Sequence, residues 1–159
     1  MHDSISIVQI IQAMLAPGLM ISACGLLLLG INNKYSIIVN RIRLLNQEKR
    51  TLALKSGNRD LIYEEELRLE SILMQLKKLF YRVRLVRNSV VCYSLAVASF
   101  VLSSICIGLG FIIKMEFLQY LILILFVIGV ILVLIGILYS ALETLKGYNI
   151  IKLEVKAEE

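Results

Sequence analysis

At 159 residues the chain has room for one domain of ordinary size, and its 58% hydrophobic content and mean hydropathy of +0.82 lie far above soluble averages. Such a composition predicts a membrane protein and argues against a water-soluble enzyme. The formal net charge of +5 does not point to nucleic acid, because the bases cluster beside apolar segments and form no separate basic domain; anionic lipid is the expected counterion.

The N-terminus, Met-His-Asp-Ser, lacks the basic start of a secretory signal, and Pro17-Gly18 leads into more apolar sequence instead of a cleavage site, so the first segment is expected to be retained. A charge-free window runs from Ser4 to Asn33 (4–33), thirty residues, against the roughly 20 needed to cross about 30 Å of hydrocarbon. Gln9 and Gln12, three apart, share one face near its outer end, and Pro17 is expected to kink the helix because it removes a backbone donor. Gly18, Ser22 and Gly25 follow on one side. They suit close helix approach, with the glutamines as interhelical hydrogen-bonding groups, or else the polar lining of a water-filled path.

Residues 34–87 form the one long charged run. Thirteen of the seventeen Lys and Arg lie there against six acidic residues, a net +7, which the positive-inside rule places in the cytoplasm. Ile38, Ile42, Leu45 and Leu52 make a heptad seam missed once at Lys49. Ser56-Gly57-Asn58 signals a turn, and Asp60 can cap a second helix whose early turns carry Glu64, Glu65 and Glu66. Ile62, Leu69, Ile72, Leu76, Leu79, Val83, Val86 and Val90 fit a second seam, with only Glu65 out of place. The two helices are expected to pair as an antiparallel, coiled-coil-like hairpin reaching roughly 35 to 40 Å into the cytoplasm. Arg41, Arg43, Arg82, Arg84 and Arg87 lie where anionic headgroups would meet them, unless they serve only to set topology.

The second charge-free window covers 88–113, in which Ser89, Cys92, Ala96, Ser99, Ser103, Cys106 and Gly110 recur at steps of three and four. This seam of small residues must face protein or water, as close packing or as the lining of a pore or cavity. After Lys114-Met115-Glu116 a third window spans 117–142, rich in Ile, Leu and Val, with Gly129 and Gly136 one heptad apart. It reads as mostly lipid-facing, and residues 143–159 as a cytoplasmic tail. The fold class is therefore all-α, with three transmembrane helices and a cytoplasmic helical hairpin between the first and second.

The stretch from Ile10 to Arg50 resembles a family of prokaryotic membrane proteins catalogued as domain of unknown function 2721. The resemblance rests on Ala16-Pro17 in the first span, Ser22 with Gly25, the Leu26 to Leu29 run, an asparagine and base at the inner interface, and Arg41-Ile42-Arg43-Leu44-Leu45. Lys34 stands where such proteins often have arginine, and Asn40 where an acidic residue is usual. The layout of the two later spans also matches. The resemblance implies three spans in a prokaryotic inner membrane and brings no activity with it.

No catalytic residue, metal ligand set or cofactor motif emerges: His2 is the sole histidine, and Cys24, Cys92 and Cys106 sit inside apolar segments as packing residues. The chain is expected not to be an enzyme and not to bind nucleic acid. Two functional readings follow. One is a homo-oligomeric channel or pore assembled through the hairpin and lined by the first or second span. The other is a non-conducting scaffold or adaptor whose hairpin binds a cytoplasmic protein. Either would be multi-pass, in contact with membrane lipids, with its N-terminus outside and its C-terminus in the cytoplasm.

Overall fold

The computed structural model describes the backbone of residues 7–56, 63–113 and 116–158, and the side chains of 8, 9, 11–55, 63–110 and 117–147. All of that backbone is helical, in three elements: α1 (Ile7–Ser56), α2 (Tyr63–Ile113) and α3 (Glu116–Glu158). The expected turn at Gly57 and Asn58, the cap at Asp60, the seam position at Ile62 and the break at Lys114 and Met115 lie outside the described residues. Pro17 falls inside α1 without ending it, and the residues expected as a tail continue α3.

Each helix is long and apolar enough to cross a membrane, with windows of mean hydropathy 2.1, 2.2 and 3.6 in chain order. α1 alone has 50 residues, about 75 Å at 1.5 Å per residue, more than twice the hydrocarbon thickness. Of the three apolar windows, that of α2 is the most enclosed at 33% buried, against 17% in α1 and 11% in α3. On α2 the enclosed positions include Ser89, Ala96, Ser103 and Cys106 of the small-residue seam together with the rings of Tyr93 and Phe100.

The chain forms two compact units. The first comprises Met1–Ile31 and Asn88–Tyr139. Its centre is Cys24, Ala96 and Phe100, with Met20, Ile21, Val97, Phe126, Leu132 and Val133 packed around them. Two aromatic rings of α2 are seated on glycines of α3. A Cβ built at Gly129 would lie 2.6 Å from the Phe100 ring, and one at Gly136 would lie 2.7 Å from that of Tyr93. The α2 numbers fall by seven as the α3 numbers rise by seven, so the two helices run antiparallel here in a heptad register. Phe126 adds a tilted ring contact on Phe100, with centroids 5.5 Å apart.

The second unit comprises Asn32–Arg87 and Ser140–Glu159. Ile38, Ile42, Leu45 and Leu52 are buried along α1, and Ile72, Leu76, Leu79 and Val86 along α2, while Lys49 is exposed. Ion pairs join the helices, among them Arg68 to Glu48 through Nε–Oε1 at 2.7 Å and Nη2–Oε2 at 3.2 Å, and Lys55 to Glu65 at 3.3 Å. As the α1 number rises from 48 to 55, the α2 number falls from 68 to 65.

Substitution of Gly129 or Gly136 by Ala forces a methyl into a ring that is itself buried, and overpacking of this kind costs about 1–3 kcal/mol. Gly18, with nothing within 4 Å of its would-be Cβ, should accept Ala without loss. Detergent unfolding of the three variants followed by circular dichroism distinguishes them.

The Arg68 hydrogen bonds hold the Glu48 carboxyl below its ordinary range. Its folded value is depressed, so the pair's contribution is complete above the unfolded carboxyl range and disappears as pH falls through the folded value. Because both side chains are partly exposed, Arg68→Gln should cost under about 1 kcal/mol at neutral pH. Carbon NMR should show the Glu48 midpoint rising in that variant.

Candidate functional site

Burying a carboxylate costs several kcal/mol unless cations and donors surround it. Among the described residues the one buried charged side chain is Glu143, 2% exposed, directly after the last apolar window. It lies one heptad beyond Gly136 and so on the same stripe of α3. Arg82 of α2 donates to its Oε1 from both Nε, at 3.1 Å, and Nη2, at 2.6 Å. Lys34 of α1 brings its ammonium to 3.6 Å from Oε2 and donates a hydrogen bond to Thr144 Oγ1 at 2.9 Å. The Thr144 hydroxyl donates in turn to the Ser140 carbonyl at 3.0 Å. Each helix of the second unit thus contributes a charged group to one cluster with two cations and one anion.

The local sequence allows this closeness. A Cβ at Gly147 would fall 2.9 Å from an Arg82 terminal nitrogen, so glycine lets the guanidinium lie against α3 one turn beyond Glu143 without a shift of its flexible end. Beside it the Lys146 ammonium rests 4.1 Å from the centroid of the Tyr81 ring and donates to its hydroxyl at 3.0 Å. That contact adds about 0.5–1 kcal/mol at an exposed site.

The residues singled out from sequence are distributed as follows. Ser89 and Ser103 are fully enclosed and Cys106 is 9% exposed, whereas Cys92 and Ser99 are half-buried. The Ser103 hydroxyl lies 3.5 Å from the Ile122 carbonyl, and the Ser99 hydroxyl donates to Leu95 within its own helix. Gln9, Gln12, Gly18 and Ser22 are exposed on α1, with the Ser22 hydroxyl turned back to the Gly18 carbonyl. Gly18 and Ser22 belong to an open apolar groove of about 370 Å³ that also includes Ile11, Met14, Leu15 and Leu19. Arg41, Arg43, Arg84 and Arg87 are exposed, while Arg82 is half-buried on Glu143.

Sequence reasoning assigned no role to Glu143, Thr144 or Gly147, and it treated Lys34 as an interfacial base. The available signal was the lone carboxylate between Phe117 and Gly147, placed in heptad step with Gly129 and Gly136. Among the described residues no three His, Cys, Asp or Glu side chains converge to hold a metal ion.

Removing one member of a buried ion pair strands the other, at a cost of roughly 3–5 kcal/mol. Arg82→Met should fall near the lower end of that range, because its side chain keeps 23% exposure. The double variant Arg82→Met with Glu143→Gln should recover most of the loss in the same unfolding measurement.

No curated protein matches the chain, and no solved structure does. A family model does match, over residues 14–153, nearly the whole sequence. The chain belongs to the family described as Protein of unknown function (DUF2721).

Proposed function

We propose that this membrane protein is an assembly platform: its apolar helical segments anchor it, and the charged extension formed by residues 34–87 gathers further copies of the chain on the cytoplasmic side. The observation that carries this reading is a further apolar stripe on each helix of the extension, beside its buried seam. Ile37 and Leu44 on α1 are 63% and 66% exposed, and Leu73 and Phe80 on α2 are 45% and 57% exposed, each pair one heptad apart. Apolar positions next to a filled seam widen the sticky face beyond what two helices cover, the pattern of higher-order bundles. In water such a stripe favours burial against another helix.

Orientation follows from charge. The net +7 of residues 34–87 keeps them on the cytoplasmic side, and an odd number of spans then leaves the N-terminus outside and the C-terminus in the cytoplasm. A passive role fits the packing of α2, because Ser89 and Ser103 are enclosed by the chain's own helices. A conducting reading is favoured by a different observation: Gln12, Gly18 and Ser22 lie exposed on α1, so a ring of copies could place that face about an axis.

Native mass spectrometry of the protein in mild detergent should show a defined multimer. Leu44→Glu with Phe80→Glu should shift it to the monomer with helicity retained; a wild-type monomer overturns the reading. Flux through vesicles carrying the intact multimer, compared with Gln12→Ala, separates conduction from scaffolding.

A further inference from the structure

The cluster around Glu143 has more donors than its carboxylate uses. Arg82 has five N–H groups, and the structure assigns two of them, one from Nε and one from Nη2, to Glu143. Its remaining terminal nitrogen makes no hydrogen bond among the described residues. Lys34 has three N–H groups and places one on Thr144. The two cations outnumber the one anion, and neither is sealed from its surroundings: the Lys34 side chain is 45% exposed and that of Arg82 23%.

Position supplies the second argument. Lys34 is the first charge after the window 4–33, Glu143 the first after 117–142, and Arg82 lies six residues before the window starting at 88. By the charge pattern these residues flank the apolar windows on the cytoplasmic side, where lipid phosphates lie. The cations there are already fixed. Glu143 and the Gly147 notch hold the guanidinium, and Glu143 and Thr144 hold the ammonium, so an incoming oxyanion orders little that is not ordered.

We infer that Lys34 and Arg82, held in place by Glu143, bind the phosphate group of an anionic phospholipid at the cytoplasmic face. Glu143 positions the two cations and does not touch the lipid. Exposed Arg84 contributes only diffuse attraction. This inference is independent of whether copies assemble.

The test is lipid retention by the full chain in native mass spectrometry, after exchange into micelles with equal phosphatidylglycerol and phosphatidylcholine. The wild type should keep phosphatidylglycerol in preference. Lys34→Gln should weaken that retention about fivefold, the equivalent of the roughly 1 kcal/mol that one base near an anionic surface contributes. Lys34→Arg should restore it, and Arg84→Gln should leave it nearly unchanged. The double variant Arg82→Met with Glu143→Gln keeps the net charge but removes the guanidinium and the carboxylate that anchors it, so it should lower retention even if the Lys34 variant fails to fold. Equal losses in Lys34→Gln and Arg84→Gln would mean diffuse charge only and overturn the proposal, as would unchanged retention in the Arg82→Met, Glu143→Gln double variant. Displacement by inorganic phosphate without preference between the two lipids would identify a free-anion site and overturn the lipid assignment.

Discussion

A carboxylate with 2% exposure dictates much of what surrounds it. A carboxyl group so enclosed needs cations and donors around it, and Arg82 and Lys34 come from two other stretches of chain, 61 and 109 residues away. The contact therefore fixes the rotation of α3 about its axis in the second unit, since a turn of one residue would point the carboxylate elsewhere. Glycine at 147 eases the same contact, because a methyl there would crowd the guanidinium. Such a pair adds little to stability compared with a well-packed apolar replacement; its effect is to penalise every arrangement that separates its members.

In the first unit shape takes the place of charge. Phe100 on Gly129 and Tyr93 on Gly136 set the register of α2 against α3 through large rings over absent side chains. Hydrocarbon provides no hydrophobic drive between helices, so close packing and internal hydrogen bonds must hold them together. The hydroxyls follow that rule: Ser99 and Ser22 satisfy themselves within their own helices, and Ser103 approaches a carbonyl of α3. The functional consequence is that the enclosed part of the small-residue seam is engaged inside one chain. Large apolar side chains stay exposed on all three helices, Leu26 on α1, Leu95 on α2 and Leu123 on α3 among them.

The helical content, the three apolar windows and the positions of the buried seams were legible in the sequence, because each is a periodicity that a helix carries in its own residues. Ile38, Ile42, Leu45, Leu52, Ile72, Leu76 and Leu79 stood out for this reason and are buried. Glu143 was not legible as a site. A single carboxylate beyond an apolar run reads as the start of a solvated tail, and nothing local reveals a partner in another helix. The roles of Gly129 and Gly136 were hidden in the same way: their heptad spacing was visible, but the rings that require it belong to α2. Arg82 could not be told from Arg84 and Arg87 by composition, and only the fold separates the base that meets a carboxylate from those that meet solvent.

The most direct test of this account is a solid-state NMR distance measurement between the Glu143 carboxyl carbon and the Arg82 guanidinium in lipid bilayers. The account predicts a strong dipolar coupling, that of a direct hydrogen-bonded contact, which disappears in Glu143→Gln when the labelled carboxylate is lost. Absence of coupling in the wild type, with helicity intact, would contradict it, because the three helical segments of the second unit would then meet without the buried charge pair.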